Sequence, residues 1–355
     1  MPGLFEPFSL RSLTLRNRIG VSPMCQYSAV EGFPQSWHLV HLGSRALGGA
    51  GLVVAEATGV LPEGRITPGC TGLWSEAQAQ AWAPIAAFVK SHGAVPAIQI
   101  GHAGRKASAA LPWQGGAHLD KAQGGWDIVA PSALAFGGVL GRVPDPLDRQ
   151  GIAQIRKAFR DTAQRALQSG FEWLELHAAH GYLLHEFLSP LSNRREDDYG
   201  GSFENRIRLV LETASEVRSV WPEKFPLAVR LSCTDWEEGG WDLEQSVELA
   251  IQLKRLGVDL IDCSSGGGSL SAKIPVGPLY QVPFAQAIRE RAGIATAAVG
   301  LITEPAQADG IIRAGQADMV LLARAELRDP YWPLHAAKAL GVPEACKPPV
   351  QYGRA

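Results

Sequence analysis

Short, nearly continuous apolar runs alternate along this chain with longer stretches whose apolar positions recur at helical spacing. The short runs fall at residues 19–21, 51–55, 95–100, 172–176, 227–231, 260–263, 296–299 and 319–322. None shows the in–out alternation of a half-exposed strand, and the pattern predicts eight parallel strands buried on both faces. Between them, Ile152, Ile155, Phe159, Ala163 and Ala166 keep one helical stripe that Gly170 closes. Asp242-Leu243-Glu244-Gln245 predicts a capping box; Leu249, Leu253 and Leu256 hold one face, and Gly257 ends that helix. Thr303-Glu304-Pro305 opens another helix, which stops near Gly315. Eight strands alternating with helices predict an α/β chain folded as a (β/α)₈ TIM barrel rather than an open sheet.

Two segments fall outside the repeat. Residues 4–18 carry two apolar stretches around Arg11-Ser12, which predicts an N-terminal hairpin closing the barrel bottom. Residues 102–148 are rich in Gly, Pro and Trp and directly follow the third strand. A long insertion at that point belongs over the C-terminal mouth and reads as a lid. No linker or repeat divides the chain, so residues 1–355 are expected to form one barrel domain.

Composition narrows the function classes. A formal net charge of −2 with both signs mixed leaves no basic footprint for nucleic acid or anionic lipid. The start, Met1-Pro2-Gly3-Leu4-Phe5-Glu6, lacks a signal-peptide pattern, and Glu56 interrupts the best apolar run, so no membrane role is expected. The five cysteines are scattered without a C-x-x-C pair, which suggests no disulfide framework and a reduced, cytoplasmic protein.

In such barrels the chemistry sits at the strand C-termini. Those positions hold Ser22-Pro23-Met24-Cys25, Glu56-Ala57, Gln99 and His102, His177 to Tyr182, Arg230, Ser264, Gly300 and Ala323-Arg324. Paired acids for glycoside cleavage and a lysine for Schiff-base chemistry are missing from this set. His38/His41 and His177/His180 share H-x-x-H spacing, which keeps a metal-dependent hydrolase open as the alternative, although neither pair carries the glutamate of a zincin motif. No metal is expected. A barrel that only binds is a third reading.

The runs Ser22-Pro23-Met24-Cys25-Gln26-Tyr27, Gln99-Ile100-Gly101-His102-Ala103-Gly104-Arg105 and His177-Ala178-Ala179-His180-Gly181-Tyr182 resemble the Old Yellow Enzyme family of FMN-dependent ene-reductases. So do the stretch from Leu188 to Arg195, Tyr199-Gly200-Gly201-Ser202 and Glu204-Asn205-Arg206. The resemblance runs in order over almost the whole chain. Cys25 with Tyr27, and the ending Pro349-Val350-Gln351-Tyr352-Gly353-Arg354, are similar to its thermophilic-like bacterial branch, although Gly353 and Ala355 depart from the usual tail.

The resemblance implies FMN as cofactor and NADPH, or second NADH, as transient hydride donor. It implies ping-pong reduction of the C=C bond of α,β-unsaturated carbonyl compounds through FMN N5, with enones, maleimides and nitro compounds as substrates. A dienoyl-CoA-type reductase would need a cysteine-bound cluster, which the scattered cysteines exclude. The absence of a G-x-G-x-x-G fingerprint fits a nicotinamide bound only at the flavin.

Gly300 and Ala323-Arg324, in consecutive loops, suit the FMN phosphate. Gln99 can donate and accept along the ring edge. Arg230 ends a buried strand, where an unpaired charge is costly, and it would stabilise negative charge near N1; an internal salt bridge is the other reading. Ser22, Pro23, Met24 and Ala57 are expected to give backbone and apolar contacts. By resemblance Cys25 tunes the flavin, and His177 and His180 hold the substrate carbonyl oxygen. Tyr182 gives the proton and Tyr27 lines the pocket. Arg354 is expected to reach a neighbouring subunit's site in a homodimer or homotetramer.

Overall fold

The computed structural model describes residues 2–354, so Met1 and Ala355, on which the N-terminal and tail readings partly rest, lie outside the described residues. The chain opens with β1 (Phe8–Leu10) and β2 (Leu13–Leu15), followed by β3 (Ile19–Val21), α1 (Ser36–Leu47), β4 (Leu52–Gly59), α2 (Glu76–Ser91) and β5 (Val95–Gly101). Next come β6 (Val129–Ala130), β7 (Asp145–Pro146), α3 (Arg149–Gln168), β8 (Trp173–Ala178), α4 (Leu183–Leu188), α5 (Phe203–Val220) and β9 (Leu227–Ser232). The last part holds α6 (Leu243–Arg255), β10 (Leu260–Ser264), α7 (Val282–Ala292), β11 (Ala295–Ala298), α8 (Pro305–Arg313), β12 (Met319–Leu322), α9 (Arg324–Arg328) and α10 (Trp332–Ala339).

Eight parallel strands close into a barrel in the order β3, β4, β5, β8, β9, β10, β11, β12, with β12 pairing back onto β3. They are the eight apolar runs of the sequence. The largest difference in extent is at β4, which continues beyond Ala55 to Gly59, because a register shift between Ala55 and Thr58 carries the strand past polar Glu56. The bulge places Glu56 and Ala57 inside the strand's last turns rather than in the loop after it.

The helix ends follow their capping residues. Asp148 accepts from Gly151 N and starts α3, and Gly170 turns the chain at φ 87° beyond its end. Asp242 accepts from Gln245 N at 2.9 Å, but the expected box is only half made. The Gln245 side chain accepts from Arg206 Nη2 at 2.6 Å instead, which ties α6 to α5. Glu304 and Gln307 form the reciprocal box of α8.

The core has two layers. Strand residues facing outward pack with the helices in one large cluster that includes Phe159, Trp82, Leu249 and Ile311. Residues facing inward at the bottom, among them Leu52, Trp173, Leu260 and Met319, form a second cluster with Phe8 and Leu15 of the β1–β2 hairpin. The hairpin thus plugs the barrel floor, as its sequence position suggested. Higher inside, the layer turns polar: Gln99, Glu175, Arg230 and Asp262 are all buried there. Residues 102–148 carry β6 and β7, a short parallel pair, among turns. No helix among the described residues is long and apolar enough to cross a membrane.

Replacing Phe8 by Ala empties part of the floor. We expect a loss of about 3 kcal/mol in unfolding free energy, read by chemical denaturation, with the mouth of the barrel untouched.

Candidate active site

The chain makes one mouth from eight strand ends, and two recesses open there. The larger, about 240 Å³, is lined by Arg230, Ser264, Gln281, Gly300, Ala323 and Arg324, together with Thr303 and Arg328. Gly300 has φ 123°, and a Cβ there would stand 3.0 Å from Gln281 Nε2, so the backbone approaches as only glycine allows. Arg324 is exposed at the start of α9, beside half-buried Ala323. Three residues expected at a phosphate therefore share one cavity with Arg230. Glycine backbone, a helix start and guanidinium groups make a donor set suited to an anion.

Arg230 sits deeper. Its Nε lies 3.0 Å from Asp262 Oδ2, and Nη1 donates to Ser22 Oγ at 3.2 Å. The internal salt bridge that the sequence left as the other reading of Arg230 is present: Asp262, on the adjoining strand, pairs with it. The sequence survey of strand ends also passed over a pair of carboxyls below the mouth, Glu175 and Asp262, because both lie within strands. Their signal was a charged residue inside an otherwise apolar run. Burial and the nearby Asp262 push the Glu175 carboxyl up, while Arg230 and Gln99 pull against them. Gln99 Nε2 donates to Glu175 Oε1 at 2.8 Å, which fixes the amide's orientation; among the described residues its carbonyl oxygen has no protein partner.

The narrower cleft is lined by Ala57, Thr58, Arg65, His102, His177 and Tyr182. His177 and His180 meet edge to face with ring centroids 5.2 Å apart, and His177 and Tyr182 do so at 4.9 Å. Burial, with Arg230, His185 and Lys106 nearby, holds His177 well below the usual imidazole range, so its ring is neutral. Its Nδ1 accepts from Ala179 N at 3.3 Å, which leaves the proton on Nε2 as a donor. His180 Nε2 lies 2.7 Å from Ser264 Oγ. With the hydroxyl donating, His180 carries its proton on Nδ1 and offers a second donor. Burial pushes the Tyr182 phenol well above its ordinary value, so it keeps its proton.

The loop after β3 brings the rest. Pro23, Met24, Cys25 and Tyr27 are half-buried, and Tyr27 holds a left-handed φ of 53°. Glu56 Oε2 accepts from Gln26 N at 3.1 Å, and Glu56 Oε1 lies 3.1 Å from His38 Nε2. His38 thus faces Glu56, and its Nδ1 accepts from Gln35 N, which commits the ring away from the metal role its spacing allowed. Among the described residues no three His, Cys, Asp or Glu side chains gather as a metal cluster. The Cys70 sulfur beside it, then burial, pushes the Cys25 thiol up, so Cys25 stays protonated. Tyr27 meets Trp113 of the insertion edge to face at 5.9 Å. Arg354 is exposed and lines neither recess.

Lys106, which the sequence left inside the insertion, donates 2.8 Å to His180 O and also to Gly267 O, and its ammonium lies 4.0 Å from the Phe136 ring centroid. No local pattern marks it, because its partners are distant in sequence.

A closed barrel with an anion recess beside a buried arginine, and a second cleft with two neutral histidines and a phenol, is suited to holding a phosphate-bearing cofactor next to a substrate. The comparisons agree, and the chain belongs to the NADH:flavin oxidoreductase / NADH oxidase family, whose model matches residues 3–342. It is an FMN-dependent oxidoreductase of the Old Yellow Enzyme type. A protein named NADPH dehydrogenase from Geobacillus sp. (strain WCH70) is 46% identical over 353 residues, covering 99% of this chain and 98% of its own. The NADPH dehydrogenase of Bacillus subtilis (strain 168) is 44% identical at the same coverage. Among solved structures, the old yellow enzyme homologue from Zymomonas mobilis matches with TM-score 0.80 and 27% identity, over 95% of this chain and 93% of that one. Morphinone reductase in complex with tetrahydroNAD matches with TM-score 0.80 and 29% identity, over 96% and 92%.

Burial lowers the Lys106 ammonium to about 8. Its folded pKa lies below the unfolded value, so the unfolded chain binds the extra proton between about pH 8 and 10.5 and stability from this group rises with pH there. Comparing denaturation midpoints across that window, we expect the rise to be larger in the wild type than in Lys106→Met.

Proposed function

We propose that this chain is a cytoplasmic ene-reductase that takes electrons from NADPH and reduces the C=C bond of α,β-unsaturated carbonyl compounds in a ping-pong cycle. The observation that carries this reading is the cleft itself. His177, held neutral with its Nε2–H free to donate, meets His180 edge to face and stands beside a phenol that stays protonated. The His177 Nε2–H and the His180 Nδ1–H would hold the substrate's carbonyl oxygen and stabilise the negative charge that develops on it. Tyr182 would hand its proton to the α-carbon.

FMN in the larger recess would supply the hydride. Gly300, Ala323 and Arg324 would hold its phosphate, Gln99 and Arg230 its pyrimidine edge, and Ser22, Pro23, Met24 and Ala57 its flank. Cys25 would sit by the ring as a thiol and Tyr27 would line the substrate space. Residues 102–148 would act as the lid, an assignment supported by the Trp113 contact with Tyr27 and the hold of Lys106 on the His180 loop. NADPH and the alkene would use the same cleft in turn, which suits the NADPH dehydrogenase names of the relatives.

The direct test is the visible spectrum of the purified protein under anaerobic conditions. NADPH should bleach the flavin bands and cyclohexenone should restore them. Flavin that bleaches but stays reduced when the enone arrives would sink the substrate class. Tyr182→Phe should slow the enone-dependent return by about a hundredfold with FMN retained.

We further propose a homodimer or homotetramer in which Arg354 enters a neighbour's cleft. The exposed Arg354 and the exposed Val350 four residues before it support this. Arg354→Ala should raise KM for the enone and leave bleaching by dithionite unchanged; an unaltered KM would remove Arg354 from the site.

A further inference from the structure

Two consecutive residues of the loop after β8 are left-handed, His180 at φ 59° and Gly181 at φ 71°. Glycine adopts this backbone freely, but a residue with a side chain must be held there by its surroundings. His180 is held at both ends of its peptide frame. Its N–H donates to Ser232 Oγ at 2.9 Å, and its carbonyl accepts from Lys106 Nζ at 2.8 Å. The next N–H, that of Gly181, donates to His185 Nδ1 at 2.8 Å.

His185 lies on α4 with its ring fully buried, and it lines neither recess. A neutral imidazole whose Nδ1 accepts must carry its proton on Nε2. That Nε2 lies 3.1 Å from Asp235 Oδ1, in an oblique contact between two groups with no exposed surface. The other carboxylate oxygen, Asp235 Oδ2, accepts from Ser189 Oγ at 2.6 Å and from Trp241 N at 2.7 Å. Ser189 thus bonds the carboxylate and not the imidazole, so the group is no nucleophilic triad. Burial opposes the Asp235 charge, but His185, Ser189 and the Trp241 N–H outweigh it and hold the carboxyl below its usual range.

The turn and this pair are packed on the same segment. A Cβ at Gly181 would stand 2.2 Å from Gly267 O, and one at Gly268 would stand 2.9 Å from Asp235 Oδ1. Beyond the turn, Tyr182 caps the first turn of α4, so His180 and Tyr182 both take their direction from it.

We propose that Asp235 and His185 are positioning residues for substrate recognition: the carboxylate sets the tautomer of His185, the ring's Nδ1 holds the Gly181 N–H, and the left-handed turn sets His180 against His177 and Tyr182 in the cleft. This rests on the substrate contacts proposed above. In Asp235→Asn the asparagine oxygen must remain toward Ser189 and Trp241, because both donate. Its NH₂ then faces His185 Nε2 and forces the ring proton to Nδ1, where it meets the Gly181 N–H donor to donor. Ser189→Ala leaves the carboxylate and the tautomer in place. In His185→Asn/Asp235→Asn the side-chain oxygen of the new residue can accept from Gly181 N with no tautomer to reverse.

The experiment titrates each holoenzyme with 4-hydroxybenzaldehyde, whose phenolate oxygen accepts as a carbonyl oxygen would and whose stacking on oxidised flavin gives a long-wavelength band. The flavin-to-protein absorbance ratio is read alongside. We expect Asp235→Asn to bind about ten- to a hundredfold more weakly at an unchanged flavin ratio. Ser189→Ala should stay near wild type and the double variant should recover. Equal binding by wild type and Asp235→Asn overturns this inference alone, as does an equal loss in Ser189→Ala. A wild type with no phenolate band overturns it together with the substrate reading. Should Asp235→Asn not fold, nitrogen NMR of His185 in the wild-type holoenzyme decides: a proton on Nε2 alone supports the assignment, and an Nδ1–H form or an imidazolium overturns it.

Discussion

The seam between β12 and β3 is the constraint on which the rest depends. Val320, Leu321 and Leu322 pair with Ile19, Gly20 and Val21, and Ser22 N continues the ladder by donating to Leu322 O at 2.9 Å. Without that closure the sheet would have two free edges and no common mouth. With it, the loop carrying Ser22 to Tyr27 lies beside the loops of Gly300 and Arg324, although these come from opposite ends of the chain. Gly20 shows how tight the join is, since a Cβ there would stand 2.5 Å from the Leu321 side chain. Closing so long a loop costs entropy before any contact rewards it, and the apolar floor plugged by Phe8 and Leu15 supplies the return.

Above that floor the barrel interior changes character. Two buried carboxyls, Glu175 and Asp262, share one guanidinium, Arg230, and Gln99 bridges to Glu175. One cation balances one carboxylate in a dry interior, so the second carboxyl is driven toward its protonated form. The arrangement fixes the Gln99 amide against Glu175 and leaves the Arg230 guanidinium lining the larger recess from a fixed position. A cofactor settling there meets donors and acceptors already oriented, which lowers the reorganisation needed when its charge changes.

How much of this was legible in the sequence follows from how local each signal is. The eight strands could be read because each is a short run buried on both faces, and α3, α6 and α8 because their stripes and end residues sit within the same segment. Past Ala55 the reading stopped too early, since Glu56 broke the apolar run and a bulge is invisible without its partner strand. Residues at the strand ends could be named as a set, and the fold gathers them at one mouth. Lys106, Asp235 and Ser264 could not be assigned, because each acts on a partner far along the chain, and His185 could not because its role depends on distant Asp235. Arg230 shows the limit from the other side: an internal salt bridge was foreseen, but its partner Asp262 sits in the middle of a nearly continuous apolar run, where nothing local marks it as the pair.

The two ends of the mouth are built on different principles. At the anion recess the donors are glycine backbone and an exposed arginine at a helix start, features that tolerate small movements of a flexible or mobile partner. At the narrower cleft, His177 Nδ1 accepts from Ala179 N, His180 Nε2 lies against Ser264 Oγ, and one layer behind them His185 Nδ1 accepts from Gly181 N. A change in that rear layer alters direction without altering composition, and angular error weakens a hydrogen bond steeply. On the function proposed, cofactor retention and substrate recognition would therefore change independently. The recess depends on where the backbone runs, whereas the cleft depends on which nitrogen carries a proton.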